Sequence, residues 1–303
     1  MINAWAEVQL DPLLVVPLVG IGVAYAIGYR RFVRRTRPDS AVPARATLFI
    51  LGYTALLVAL LSPLHSVGEQ FFSVHMVQHL LLTLVAAPLL LLSNSMPVLL
   101  WALPRRDRAT VGRLFGQPGP VRAALVWLTQ PVIAGSVFVV TQWAWHQPVL
   151  YELALESRWA HYLEHIVFFS TAVLFWWPVI GAAPLRTPLG YPARMAYTFL
   201  GWMPNTLLGA GISLSRDPLY PTYINAAHTY GVDAAADQQL AGLIMWVPGD
   251  ILFAMILMVL LAAYMRHEER EAERIDRELD ARDAAALAAK TSASTAAYRP
   301  PSR

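Results

Sequence analysis

The chain has 303 residues, 56% of them hydrophobic and only 14% charged, with a formal net charge of +3; this balance excludes an ordinary soluble domain and points to an all-α, polytopic membrane protein. It has no cysteine, which excludes disulfides and thiolate-based metal or redox chemistry. The first apolar run, residues 10 to 29, ends at Arg30 and Arg31 without a basic leader or a convincing cleavage site, and so reads as a retained span. The second (46 to 64) and third (70 to 93) are joined by a short connection bearing His65, and the third carries His75, His79 and a bend-prone Pro88. A proline-bounded basic connection, 104 to 120, suits anionic headgroups. It precedes the fourth run (122 to 145), where Pro131 predicts a bend. From Pro148 to Ser157, Val149, Leu150, Leu153 and Ala154 alternate with Glu152 and Glu156 at helical spacing, which predicts a short interfacial helix forming a lid beside His146. The fifth run (158 to 181) holds His161, Glu164 and His165, and the sixth covers 194 to 214. A long connection with Tyr220, Tyr223 and Tyr230 follows, suited to binding a partner or packing on the lid. The seventh run (238 to 264) opens at Asp237, and its Asp250, behind Pro248, is costly in a bilayer unless paired; the freed carbonyls there are within reach of an amide such as that of Asn205.

Seven runs near the spanning length predict seven transmembrane helices in one domain, residues 1–265. Residues 266–290, dense in both charges and rich in alanine, suit a helical extension, and 291–303 read as a disordered tail. Arginines set the orientation, because basic residues concentrate in cytoplasmic loops. Arg30, Arg31, Arg34, Arg35, Arg37 and Arg45, then Arg105, Arg106, Arg108, Arg113 and Arg122, then Arg186 and Arg194 all fall on one side; Arg158 and Arg216 fall on the other. The amino terminus is therefore expected outside and the carboxyl terminus in the cytoplasm, as in a multi-pass protein of a bacterial cytoplasmic membrane. The basicity is topological and implies no nucleic-acid partner.

With this topology the third, fifth and seventh spans start at the outer face. At about 1.5 Å per residue, His75 and His79 lie roughly 7 and 13 Å along the third span, and His161 and His165 roughly 4 and 10 Å along the fifth. Residues four apart share a helix face, so each pair presents two imidazoles to one point. Four such groups at one depth call for a partner, and a cation would serve. His146 is expected at the mouth of this site. Asp237, and Met245 eight residues on, lie on the seventh span at the same level, with Gly242 leaving room for close approach; Met76 lies between the first two histidines. Imidazole with nearby thioether favours copper, with zinc the alternative. Each accessory residue has a plainer role: Met76 and Met245 as packing, Asp237 as a helix cap, His65 and His228 as solvated loop residues unless they gate entry, Glu164 as an acceptor orienting an imidazole.

The runs HMVQHLLLTLVAAPLLLL from His75, WHQPVLYELALESRWAHYLEHIVFF from Trp145 and DQQLAGLIMWVPGD from Asp237 resemble the CtaG family of cytochrome c oxidase assembly factors, multispan proteins associated with maturation of the copper-containing oxidase. The likeness covers about residues 10 to 265 and marks His75, His79, His146, His161, His165, Asp237 and Gln238. A single-span copper chaperone sharing the name works through cysteines, which this chain lacks. The resemblance implies a non-enzymatic role in oxidase assembly, with an oxidase subunit or a copper chaperone on the outer face as partner. Two other classes stay open on the residues alone. One is an intramembrane zinc hydrolase, for which only Glu164 and Asp237 could serve as the extra carboxylate. The other is a haem protein with axial imidazoles.

Overall fold

The structure is a computed structural model that describes residues 11–36, 40–185 and 189–297. Arg37, Arg186 and residues 298–303, on which sequence expectations rest, lie outside them. Every regular element among the described residues is a helix. Helix α1 (Pro12–Arg35) begins where the Asp11 carboxylate accepts from Leu13 N at 2.8 Å, with Pro12 in the first turn where no donor is missed. Helix α2 (Val42–Leu61) and the short α3 (Leu64–Gly68) lead to α4 (Phe72–Leu80), which continues through a π-helical turn (Leu81–Ala86) into α5 (Ala87–Leu92). Pro88 explains the wide turn: its ring cannot accept a straight α register against the carbonyl four residues earlier. The Trp176 indole N–H then donates to Thr83 O at 2.9 Å, inside that turn.

The short α6 (Met96–Leu100) comes next, and α7 (Arg105–Gly116) forms the basic connection. The predicted fourth span is two helices, α8 (Pro120–Leu128) and α9 (Pro131–Trp145), bent by 66° where Pro131 restarts the ladder. The lid α10 (Pro148–Glu156) follows, then α11 (Arg158–Ile180), which Gly181 stops in the left-handed conformation at φ 68°. Helix α12 (Tyr191–Leu214), α13 (Pro221–Tyr230) and α14 (Ala234–Ala297) complete the chain. Helix α14 runs on past residue 290, where the composition suggests that order gives way.

Among the described residues five helices are long and apolar enough to cross a membrane: α1, α2, the α4–α5 unit, α11 and the first part of α14; the bent α8–α9 pair would make six. These are five, or six with the bent pair, of the seven spans expected. Helix α12 has the length, at 24 residues, but Arg194, Thr198, Asn205, Thr206 and its glycines dilute its apolarity. It compensates by packing closely along α14. A Cβ on Gly242 would sit 2.5 Å from Ser213 N and 2.7 Å from Gly209 O, so Gly242 provides the close approach expected of it, and the element that approaches is α12. Val16, Val132, Leu200, Leu207 and Val259 face outward and exposed, as lipid-facing surfaces do.

Asp250 meets two donors from α12: Trp202 Nε1 at 2.6 Å and Thr206 Oγ1 at 2.7 Å. The carboxylate is thus paired across the helix contact by an indole and a hydroxyl, and Asn205 instead lines a cavity near Met245.

Candidate metal centre

Helix α4 has no side-chain cap of its own, because Phe71 occupies that position in extended conformation. Asp237 of α14 supplies one: Oδ2 accepts from Phe72 N at 2.7 Å, and Oδ1 accepts from Ser73 Oγ at 2.5 Å and Ser73 N at 3.4 Å. Helix α14 is capped in turn by Asp233, which accepts from Ala235 N at 2.9 Å. Asp237, expected as a ligand or a cap of its own helix, therefore fixes the start of the helix carrying His75 and His79, and it is not among the residues gathered as ligands. Asp237→Ala is expected to cost about 1–2 kcal/mol, the upper range for a lost cap, read as a fall of roughly 2–4 °C or more in Tm in detergent. An unchanged Tm would remove this role.

Below this cap the two helices bring their histidines together. One ligand atom each from His75, His161, Glu164 and His165 lies within 4.8 Å of the others, and all four residues are buried. His161 Nε2 and His165 Nε2 are 3.2 Å apart, close to the roughly 3.3 Å edge of a tetrahedral site with bonds of about 2.0 Å. His75 Nε2 and His79 Nε2 are 2.8 Å apart. Glu164 Oε2 stands 3.7 Å from His75 Nε2 and Oε1 3.8 Å from His79 Nε2. Neither oxygen of Glu164 has a hydrogen-bond partner, and His79 Nδ1 and His165 Nδ1 have none either. A sequestered carboxyl with no donor is costly, and so are unpaired ring nitrogens. A cation among them would satisfy the carboxyl and the converging Nε2 atoms at once, and imidazole with carboxylate suits zinc or copper. Glu164 thus faces the centre itself, where the sequence suggested an orienting role behind an imidazole.

Two tyrosines complete the surroundings of His75; the sequence reading passed over Tyr151 and placed Tyr223 only in a connection that binds a partner or packs on the lid. Tyr151 from α10 and Tyr223 from α13 place hydroxyls 2.9 and 3.0 Å from His75 Nδ1 and 3.1 Å from each other, and Tyr223 OH donates to Gly68 O at 3.0 Å. Burial pushes both phenols well up, so they stay protonated. One assignment places every proton. His75 Nδ1–H donates to Tyr151, Tyr151 to Tyr223 and Tyr223 to Gly68 O, which leaves the lone pair of Nε2 facing Glu164. The only clue in the sequence was tyrosine enrichment in the long connection. The lid turns Tyr151 and Ala154 inward, while Val149, Leu150 and Leu153 are exposed. Glu152 accepts from Thr222 Oγ1 at 2.5 Å and joins the lid to α13. Gln238 holds the same connection, accepting from Leu219 N at 2.7 Å.

His146, expected at the mouth, is buried and faces inward, a correction that follows from α9 ending under the lid. Its Nδ1 is 2.6 Å from Gln142 O and its Nε2 has no partner. Burial pushes its pKa down to about 4, against the opposing pull of that carbonyl, so the ring is neutral. With His79, Met76, Met245, Gln142 and Asn205 it lines a cavity of about 20 Å³, room for one water-sized occupant. The two methionines also belong to the buried apolar cluster with Phe72 and Tyr220. His228 is exposed. His65 is half-buried and held below its ordinary pKa by burial, with Asp11 opposing. Its ring lies 4.8 Å from that of His161, and Glu69 Oε1 is 3.8 Å from His161 Nδ1. The signal missed in the sequence was the same spacing of four, His65 to Glu69.

The family model described as cytochrome c oxidase caa3 assembly factor (Caa3_CtaG) matches residues 23–267. Uncharacterized proteins of Mycobacterium bovis and Mycobacterium tuberculosis are each 26% identical over 282 residues, covering 90% of this chain and 41% of their own. One of Mycobacterium leprae is 27% identical over 285 residues, with the same coverage. The chain thus spans about two fifths of the length of the curated relatives it matches. No solved structure matches it.

Proposed function

This chain belongs to the Caa3_CtaG family of cytochrome c oxidase caa3 assembly factors, and on that premise we propose that it binds copper in the histidine cluster and holds or delivers it to an oxidase subunit. One observation carries the proposal: the Glu164 carboxyl, buried with neither oxygen hydrogen-bonded, sits among imidazoles from two separate helices. His75, His161, Glu164 and His165 would hold the ion, with His79 beside them. Met76, Met245, His79 and His146 around the adjoining cavity would offer cuprous copper a thioether seat. Asp237 supports from behind by fixing α4. We place the cluster toward the outer face of a bacterial cytoplasmic membrane, with α12 as a seventh span, the amino terminus outside and the tail inside, as the arginine distribution favours. The partner is then an oxidase subunit or a copper chaperone on that face.

Bond-making chemistry is not part of this role. Zinc satisfies the same donors and remains the alternative metal. Haem fits poorly, since axial ligation calls for opposed single histidines and the i,i+4 pairs crowd one face instead. The test is a deletion strain: assembled oxidase and its copper content should fall while transcripts of its subunits stay level, and wild-type chain should restore both. Normal oxidase copper in the deletion strain would end the delivery role, and a Soret band in the purified protein would replace copper by haem.

A further inference from the structure

We propose that His65, Glu69 and His161 form a second, outer cation station, which receives a divalent ion of the copper or zinc class from water and passes it through the His161 ring to the buried set. This rests on reading the buried cluster as a metal centre. One ligand atom from each of the three residues lies within 4.8 Å of the others. The two nitrogens of His161 face different ways: Nδ1 is 3.8 Å from Glu69 Oε1, and Nε2 is 3.2 Å from His165 Nε2. The His65 ring lies 4.8 Å from His161 and 5.9 Å from His165, on the same path. Exposure falls along it, from 51% for the Glu69 side chain to 3% for His161 and 0% for Glu164. A hydrated ion cannot enter so dry a site in one step. Glu69 and His65 would replace part of its water shell while the rest is still solvated, and the inner ligands would replace what remains.

The proton account closes without an outside reagent. A neutral imidazole has one lone pair and one N–H. While Nδ1 of His161 holds the ion, the proton is on Nε2. When the ion moves to Nε2, water from the ion's own shell takes up the Nε2 proton and returns one to Nδ1, which faces Glu69 Oε1 at 3.8 Å.

The test uses the full chain in detergent and cupric ion as probe. In a His65→Gln/Glu69→Gln variant the loading rate should fall about tenfold, in the range for lost outer ligands, with final occupancy unchanged. In a Glu164→Gln/His165→Gln variant a weaker ion should remain that a chelator strips rapidly, and adding Glu69→Gln should abolish it. If wild type loads and the outer variant loads as fast, the outer station is overturned and the buried centre stands. If the outer variant loses occupancy as well as rate, its residues belong to the holding site and the station is also overturned. If wild type takes up no ion, both fall.

Discussion

Replacing Glu164 with glutamine is expected to weaken copper binding by about a hundredfold or more, at or beyond the upper end of losses seen when supporting groups of a metal site are removed. The amide has nearly the same volume, so packing around this fully buried side chain is kept. What changes is the chemistry. A carboxyl whose two oxygens have no hydrogen-bond partner gives way to an amide that offers a cation no anionic oxygen and turns an NH2 toward imidazole nitrogens at 3.7–3.8 Å. Linkage gives a second readout. A ligand at a hundred times its Kd stabilises the fold by about 2.7 kcal/mol, and the variant at the same concentration should gain only about 0.4 kcal/mol. Without metal the order should reverse, because the amide relieves an unpartnered carboxyl and the variant should melt no lower than wild type. Titration with copper and thermal unfolding with and without it measure both effects. Equal affinity in the two proteins would show that Glu164 is not a ligand, and the proposed centre would lose its only acidic member.

Gly242→Leu is expected to be strongly destabilising. An added Cβ meets backbone on both sides of the contact, Ser213 N at 2.5 Å and Gly209 O at 2.7 Å. Backbone cannot swing aside as a side-chain tip can, so α12 and α14 must part. Ordinary overpacking costs about 1–3 kcal/mol, and separating two helices along their contact should exceed that. Gly242→Ala already carries the clash and should show a smaller loss. Gly211 is the control: a Cβ there meets nothing within 4 Å, and Gly211→Ala should be neutral or stabilising by about 0.5–1 kcal/mol through helix propensity. Thermal unfolding in detergent and yield from membranes decide it. Gly242→Ala as stable as wild type would mean the helices are not held at this distance. Because Asp237 sits on α14 and caps α4, displacement of α14 should also loosen the cluster and weaken its metal affinity.

Much of the site was legible before any coordinates, and the reasons are local. A spacing of four residues within one helix dictates that His75 and His79 share a face, and the same holds for His161 and His165. The run length predicted α2, the α4–α5 unit and α11 within a few residues, while α1 runs on to Arg35 and α14 to Ala297, and Pro131 marked the bend between α8 and α9. Residues working across elements were read less well. Gly242 was read as leaving room for close approach, and only the structure shows that α12 takes that room. Asp237 looked like a ligand and caps another helix. His146 looked like a gate and is buried under the lid. His65 and Glu69 carried the telling spacing but sat in a connection assumed to be solvated. Tyr151 carried no signal, and Tyr223 was legible only as part of a connection that binds a partner or packs on the lid.

By itself, the sequence determined the membrane class, the position of most helices, the pairing of histidines within each helix and the likeness to an oxidase assembly family. All of these follow from composition and from periodicities that repeat within one segment. Only the tertiary structure decided that α12 lies against α14, that Glu164 faces the imidazoles, that two hydroxyls orient His75 and that one ring of His161 looks toward two sets of ligands. Such choices depend on which faces of distant helices meet. That is settled by close packing and by the cost of leaving buried polar atoms unpaired, summed over the whole bundle, and no single stretch of residues encodes it.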